Sequence, residues 1–303
     1  MDISLAVQKS IVAHIQQFLQ IRRRRWTGMQ AFLAESQLSR PELFLLRALD
    51  GETVSEQSLT VPQMRADLFN PYATEWSILD YLPHLVELDY LQQQDNGYIV
   101  TEAGRTLINR MELAARAYLG SLEVPASIAL SELAEALVER VHRSWQAAEP
   151  VIKAHQARTQ RRLPVQDAPA LVQIDWAILG LWEARDDAHM AAWRARGFSG
   201  PVFDLLSRIW AHEAHTLSSL VSLLTDSQTP ADIQQGLQEL TGLGLITTAA
   251  DQLELTPQGQ QLRDDIERET DRIFFASWDQ VDNNKANWLV GQLSQLCAYF
   301  RER

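Results

Sequence analysis

Apolar side chains recur along this chain first at helical spacing and then in short alternating pieces, and that order occurs twice. Residues 3–35 carry apolar positions at helical intervals and predict a long opening helix. Ser39, followed by Pro41 and Glu42, marks the start of a short helix over 41–49, because serine caps free backbone N–H groups and proline fits a first turn. A third helix starts at Thr60 or Val61 and ends at the breaker Asn70-Pro71. Thr74 caps a fourth over 75–89. Residues 90–92 and 98–100 flank the polar turn Asp95-Asn96-Gly97, which predicts a two-stranded hairpin, and Thr101 then caps a helix over 102–118.

The second half repeats this order. Leu82, Leu85, Leu88 and Leu91 fall on Leu237, Leu240, Leu243 and Ile246 without a gap, 155 residues later. Thr74 and Ile78 fall on Thr229 and Ile233, and Thr101 and Gly104 on Thr256 and Gly259. With small length differences, Ser39-Arg40-Pro41 faces Ser199-Gly200-Pro201, and Thr60 faces Thr216. The second set of elements reads as helices 171–196, 201–211, 216–224 and 230–242, strands near 245–248 and 252–255, and a helix over 257–274. Helical segments 126–147 and 149–160 link the two sets, and 283–301 repeats the role of 126–147. An echo of this extent predicts a duplicated domain, divided as 1–160 and 161–303. The expected fold is mostly α with small β wings: two winged helix-turn-helix domains forming a pseudo-dimer through long helices.

Those residues carry a resemblance. The long first helix, the proline-started second helix, the leucine-rich fourth helix running into a wing closed by Thr256-Pro257-Gln258-Gly259, and two trailing helices resemble the MarR-like winged-helix transcriptional regulators. The segment Asp187-Ala188-His189-Met190-Ala191-Ala192-Trp193-Arg194-Ala195 is similar to one in bacterial winged-helix proteins of uncharacterised function. The resemblance implies reading of duplex DNA by the fourth helix and wing, release on binding a small ligand, and two half-sites joined in one polypeptide.

Charge changes that picture. The formal net charge is −12, with only three lysines, Lys9, Lys153 and Lys285. An acidic field opposes association with phosphate backbones unless arginines gather locally. Arg22 to Arg25 do gather, but within the opening helix, on the pairing side of the resembled fold. Helix 75–89 has no Arg or Lys and offers Trp76, Ser77 and His84 as donors. Helix 230–242 is equally without basic residues but carries Gln234, Gln235 and Gln238, which can pair with adenine. Neither wing has the arginine that the resemblance implies for the minor groove.

The candidate DNA contacts are therefore Thr74, Trp76, Ser77, Thr229, Gln234, Gln235 and Gln238, with the second copy dominant. Trp176, Trp182, Trp193 and Trp210, with Arg185 and His189 as polar handles, are the candidates for a site that takes a small apolar or anionic ligand. His212-Glu213-Ala214-His215 is one residue short of a zinc-binding helix motif, and no catalytic signature, metal site or cofactor is expected. One cysteine, Cys297, and no apolar run of membrane-spanning length point to a reducing, cytoplasmic setting. With its partner domain supplied in cis, the chain is expected to be a monomer or weak dimer. Two functions stay open: a ligand-responsive regulator with weak, asymmetric DNA binding, and a winged-helix scaffold that binds a small ligand or a protein instead.

Overall fold

The computed structural model describes residues 3–50, 58–67, 71–74, 78–164, 167–249 and 252–302. The opening apolar stretch forms two helices rather than one, α1 (Leu5–Ile21) and α2 (Gly28–Ser36), with Arg22 to Arg25 in the turn between them. Four adjacent guanidinium groups repel one another, and Arg22 and Arg23 are drawn together onto Asp175, Arg23 at 2.8 Å. Two of the four arginines, Arg22 and Arg23, therefore belong to an ion pair with Asp175.

The first winged-helix subdomain comprises α3 (Arg40–Asp50), α4 (Val61–Asp67), α5 (Leu82–Glu87), β1 (Leu91–Gln94), β2 (Gly97–Val100) and α6 (Glu102–Gly120). The continuous helix expected over 75–89 is interrupted at Asp80 and Tyr81. Pro83 explains the break, since it has no N–H for the preceding turn and its ring crowds that turn's carbonyl. Next come α7 (Leu130–Gln146), α8 (Ala154–Arg161) and α9 (Ala170–Arg194). The second subdomain has α10 (Gly200–Trp210), α11 (Leu217–Leu224), α12 (Pro230–Gly242), β3 (Ile246–Ala249), β4 (Gln252–Leu255) and α13 (Pro257–Phe275); a 3-10 turn and α14 (Asn283–Glu302) follow.

Both hairpins are antiparallel in matching register: Leu91 opposes Val100 and Gln94 opposes Gly97, as Ile246 opposes Leu255 and Ala249 opposes Gln252. Each is closed the same way. The hydroxyl of Thr101 donates to the carbonyl of Asp89 and accepts from the N–H of Gly104; Thr256 does the same with Gly244 and Gly259. Glycine is needed at the end of that bridge, because a Cβ on Gly104 or Gly259 would lie 2.5 Å or 2.0 Å from the carbonyl oxygen of Tyr90 or Leu245.

The chain forms two compact units that do not follow chain order. One is built from residues 1–37, 109–188 and 270–303, the other from 38–108 and 189–269. In the first, Ile11, Ile15 and Phe18 of α1 and Leu289, Leu293, Leu296 and Phe300 of α14 are buried, with Phe18 edge-on to Phe300 at 5.4 Å. The second unit holds both winged-helix subdomains up to the first turns of α6 and most of α13, packed as a pseudo-dimer. Its larger buried cluster joins Leu205, Leu206 and Ile209 of α10 to Leu220 and Leu224 of α11, Ile233 and Leu240 of α12, and Ile246 and Leu253 of the hairpin. No helix among the described residues is long and apolar enough to cross a membrane.

Candidate functional site

Helix α12 owes its bounds to local chemistry. Thr229 adopts extended backbone, accepts from the N–H of Asp232 at 3.2 Å and donates its hydroxyl to the Asp232 carboxylate at 2.7 Å, while Pro230 starts the first turn. Ile233, Gly236, Leu237 and Leu240 face the core; Gln234, Gln235 and Gln238 face solvent. The glutamines thus stand on the outward face, but Asp232 places a carboxylate at the positive end of the helix, where a phosphate would otherwise sit. The wing beside it exposes Thr247, Thr248 and Ala249.

The first subdomain presents less. Trp76 and Ser77 lie outside the described residues. His84, expected as an outward donor, is engaged instead: its Nδ1 lies 2.6 Å from a carboxylate oxygen of Glu42, which is buried on α3. Burial pushes the Glu42 carboxyl up, but hydrogen bonds from the hydroxyl and backbone N–H of Ser39, with the His84 contact, leave it below the usual carboxylate value. The first wing exposes Gln92, Gln93, Gln94, Asp95 and Asn96 without a positive charge.

Thr74 does not face outward into a groove; the two helix-turn-helix turns meet. The backbone N–H of Thr74 donates to the carbonyl of Ser227 at 2.9 Å, and Gln228 Nε2 donates to the carbonyls of Tyr72 and Pro201 at 3.3 and 3.2 Å. Gln228 is 1% exposed, and a Cβ on Gly200 would fall 1.8 Å from the carbonyl oxygen of Pro71. Burial, and after it the charge of Asp226 in the second turn, raises the Tyr81 phenol of the first subdomain. One residue, Gln228, separates Ser227 from Thr229, so Thr74 and Thr229 lie within about 15 Å of each other. Successive major grooves on one face of a duplex are about 34 Å apart.

The six aromatic and polar ligand candidates divide between the units. Trp176, Trp182 and Arg185 belong to the first: Trp176 is buried, donates to the carbonyl of Thr159 at 3.0 Å and packs edge-on to Trp145, Trp182 is half-buried, and Arg185 reaches Asp271 at 3.4 Å. His189, Trp193 and Trp210 belong to the second. Trp193 is buried and stacks on Phe203 at 5.5 Å, whereas His189 and Trp210 line an open cleft of about 230 Å³.

Four aromatic rings, those of Tyr72, His189, Phe203 and Trp210, form part of this cleft's wall. Arg263, 5% exposed, lies with its guanidinium 4.4 Å from the Trp210 ring and 5.2 Å from that of Phe203. It also donates to Ser207 Oγ at 3.2 Å and meets Glu267 at 2.6 Å. Arg208 bridges Asp204 at 3.0 Å and Glu213 at 2.6 Å. Burial raises the Asp204 carboxyl against the opposing pull of Arg208. Sequence reading did not select Arg263, Arg208 or Phe203; the i,i+4 pairs of Arg208 with Asp204 and of Arg263 with Glu267, and the apolar periodicity of α10 for Phe203, were the signals open to it.

His212 and His215 sit in the turn after α10 rather than on a helical face, with His212 in the left-handed region at φ 58°. No group of three or more His, Cys, Asp or Glu among the described residues is placed to hold a metal ion.

No curated protein and no solved structure matches the chain. A family model does, over residues 90–303, a span that opens at the first hairpin and takes in the whole second subdomain. With its paired turns, capped helices and wings, the chain belongs to this helix-turn-helix family.

Proposed function

We propose that this protein is a MarR-like winged-helix pseudo-dimer, arisen by tandem duplication of halves 1–160 and 161–303, that has given up paired reading of DNA and works as a small-ligand-binding module. The observation that carries this reading is the hydrogen bond from Thr74 to Ser227. It ties together the turns that precede the two reading helices, and two helices so tied do not enter successive grooves. The duplication is supported by the two hairpin registers and their Thr-to-Gly closures, which repeat at the sequence offset. Uncharged or acidic wing tips and the carboxylate of Asp232 add to the case against phosphate binding. The cleft walled by His189, Phe203 and Trp210 is the ligand site under this reading.

The outward glutamines of α12 favour a second reading, one-sided contact with a single groove. A duplex titration across sodium chloride concentrations separates the two. The ligand-module reading expects no binding near physiological salt. Weak binding with a shallow salt slope, abolished by replacing Gln234, Gln235 and Gln238 with Ala, is the outcome of the second. Nanomolar affinity with a slope implying about six or more neutralised phosphates overturns both.

A further inference from the structure

We infer that the cleft of the second unit takes an uncharged, planar aromatic molecule bearing a hydrogen-bond acceptor, rather than an anion. This rests on the reading of that cleft as a ligand site and adds the class of ligand. Both arginines in the wall are already neutralised. Arg208 is held by Asp204 and Glu213, and Arg263 by Glu267 while it covers the rings of Phe203 and Trp210. An anion would have to displace a carboxylate from one of them, leaving an acid without its partner in a partly desolvated wall. Glu267 also faces His189 Nδ1 at 3.7 Å, so three carboxylates stand against the two arginines and an anion finds no spare positive charge there.

What the wall offers without displacement is ring surface and a hydroxyl donor. The rings of Tyr72, His189 and Trp210 suit a flat aromatic body, with the buried Phe203 ring as their support. Ser207 Oγ accepts from Arg263, and its own proton is given to no other group among the described residues. A carbonyl or ether oxygen on the ligand would take that proton. Such an arrangement, rings and a hydroxyl beside ion pairs that are already made, selects by shape and hydrogen bond instead of by negative charge.

Coumarin and coumarin-3-carboxylate share a ring system and differ by one negative charge, so isothermal titration of the full chain with each tests the class directly. Coumarin is expected to bind at least about tenfold tighter than the carboxylate, a difference of ~1.4 kcal/mol. Ser207→Ala is expected to weaken coumarin several-fold, and Ala211→Phe, at an exposed lining position, to block it by filling the mouth. Far-ultraviolet circular dichroism checks that both variants fold. Tighter binding of the carboxylate, lost in Ala211→Phe, overturns the proposed class but leaves the cleft as a ligand site. Binding of neither probe, or binding that ignores Ala211→Phe, overturns the class and the site together.

Discussion

A methyl group on Gly200 would collide with the carbonyl oxygen of Pro71, whereas one on Gly242, at the end of α12, would meet nothing within 4 Å. The two glycines therefore answer the same substitution oppositely. Gly200→Ala is expected to destabilise the fold by about 1–3 kcal/mol as an overpacked contact. Gly242→Ala should stabilise it by about 0.5–1 kcal/mol, because alanine loses less backbone entropy in a helix. Urea unfolding of both variants checks the pair. Glu42 gives a residue-scale pH effect. Its carboxyl titrates lower in the folded state than in the unfolded chain, so its stabilisation is fully present above the unfolded value of about 4.3 and is lost as pH falls through the folded value. Glu42→Gln should flatten the acid limb of the stability profile, measured by thermal unfolding between pH 3 and 6. Such pairings are only half visible in sequence. The Ser39 and Glu42 cap is local and could be read, but the partnership with His84 spans 42 positions and requires the fold.

At the scale of elements, boundaries followed local chemistry wherever that chemistry was strong. The expected span of 230–242 matches α12 because threonine, proline and aspartate define its start. The merged helix over 3–35 failed because apolar periodicity does not register the repulsion of four successive arginines, and 75–89 failed at Pro83. Helix α9 carries chemistry that periodicity conceals. Both carboxylate oxygens of Asp187 accept from the backbone N–H groups of His155 and Gln156, at 3.0 Å each, so the start of α8 is capped by another helix. Beside it Asp186 is pushed up to about 7, chiefly by burial and then by the charges of Glu183 and Asp187, against the opposing pull of His155 and Arg185. The folded protein keeps that proton up to about pH 7, whereas the unfolded chain releases it near 3.9, so this residue's contribution to stability falls as pH rises between the two. Asp186→Asn is expected to raise the melting temperature at pH 8 and change little at pH 4. A loss of stability at pH 8 would contradict this sign.

At the scale of the molecule, the sequence echo made two winged helices legible. The partition into units was not, because each is assembled from segments of both halves. The aromatic cleft was half legible: His189 and Trp210 stood out as residue types, while Arg263 acquires its place only through the Phe203 and Trp210 rings that the fold brings beneath it. With its second winged helix supplied in cis, the chain is proposed to remain a monomer, and light scattering should return a mass near 34.4 kDa. A stable mass of twice that value would contradict it.

The meeting of the two helix-turn-helix turns depends on backbone groups, so no residue pattern announces it, and the functional account rests on it. Its most direct test is a short thiol-to-thiol crosslinker applied to the full chain carrying Thr74→Cys and Ser227→Cys, with the buried Cys297 as an unreactive background. Rapid intramolecular bridging of positions 74 and 227, found by peptide mass spectrometry in the monomer, is the result predicted. Absence of that bridge when both cysteines react singly with the reagent would show the turns apart in solution and would contradict the account.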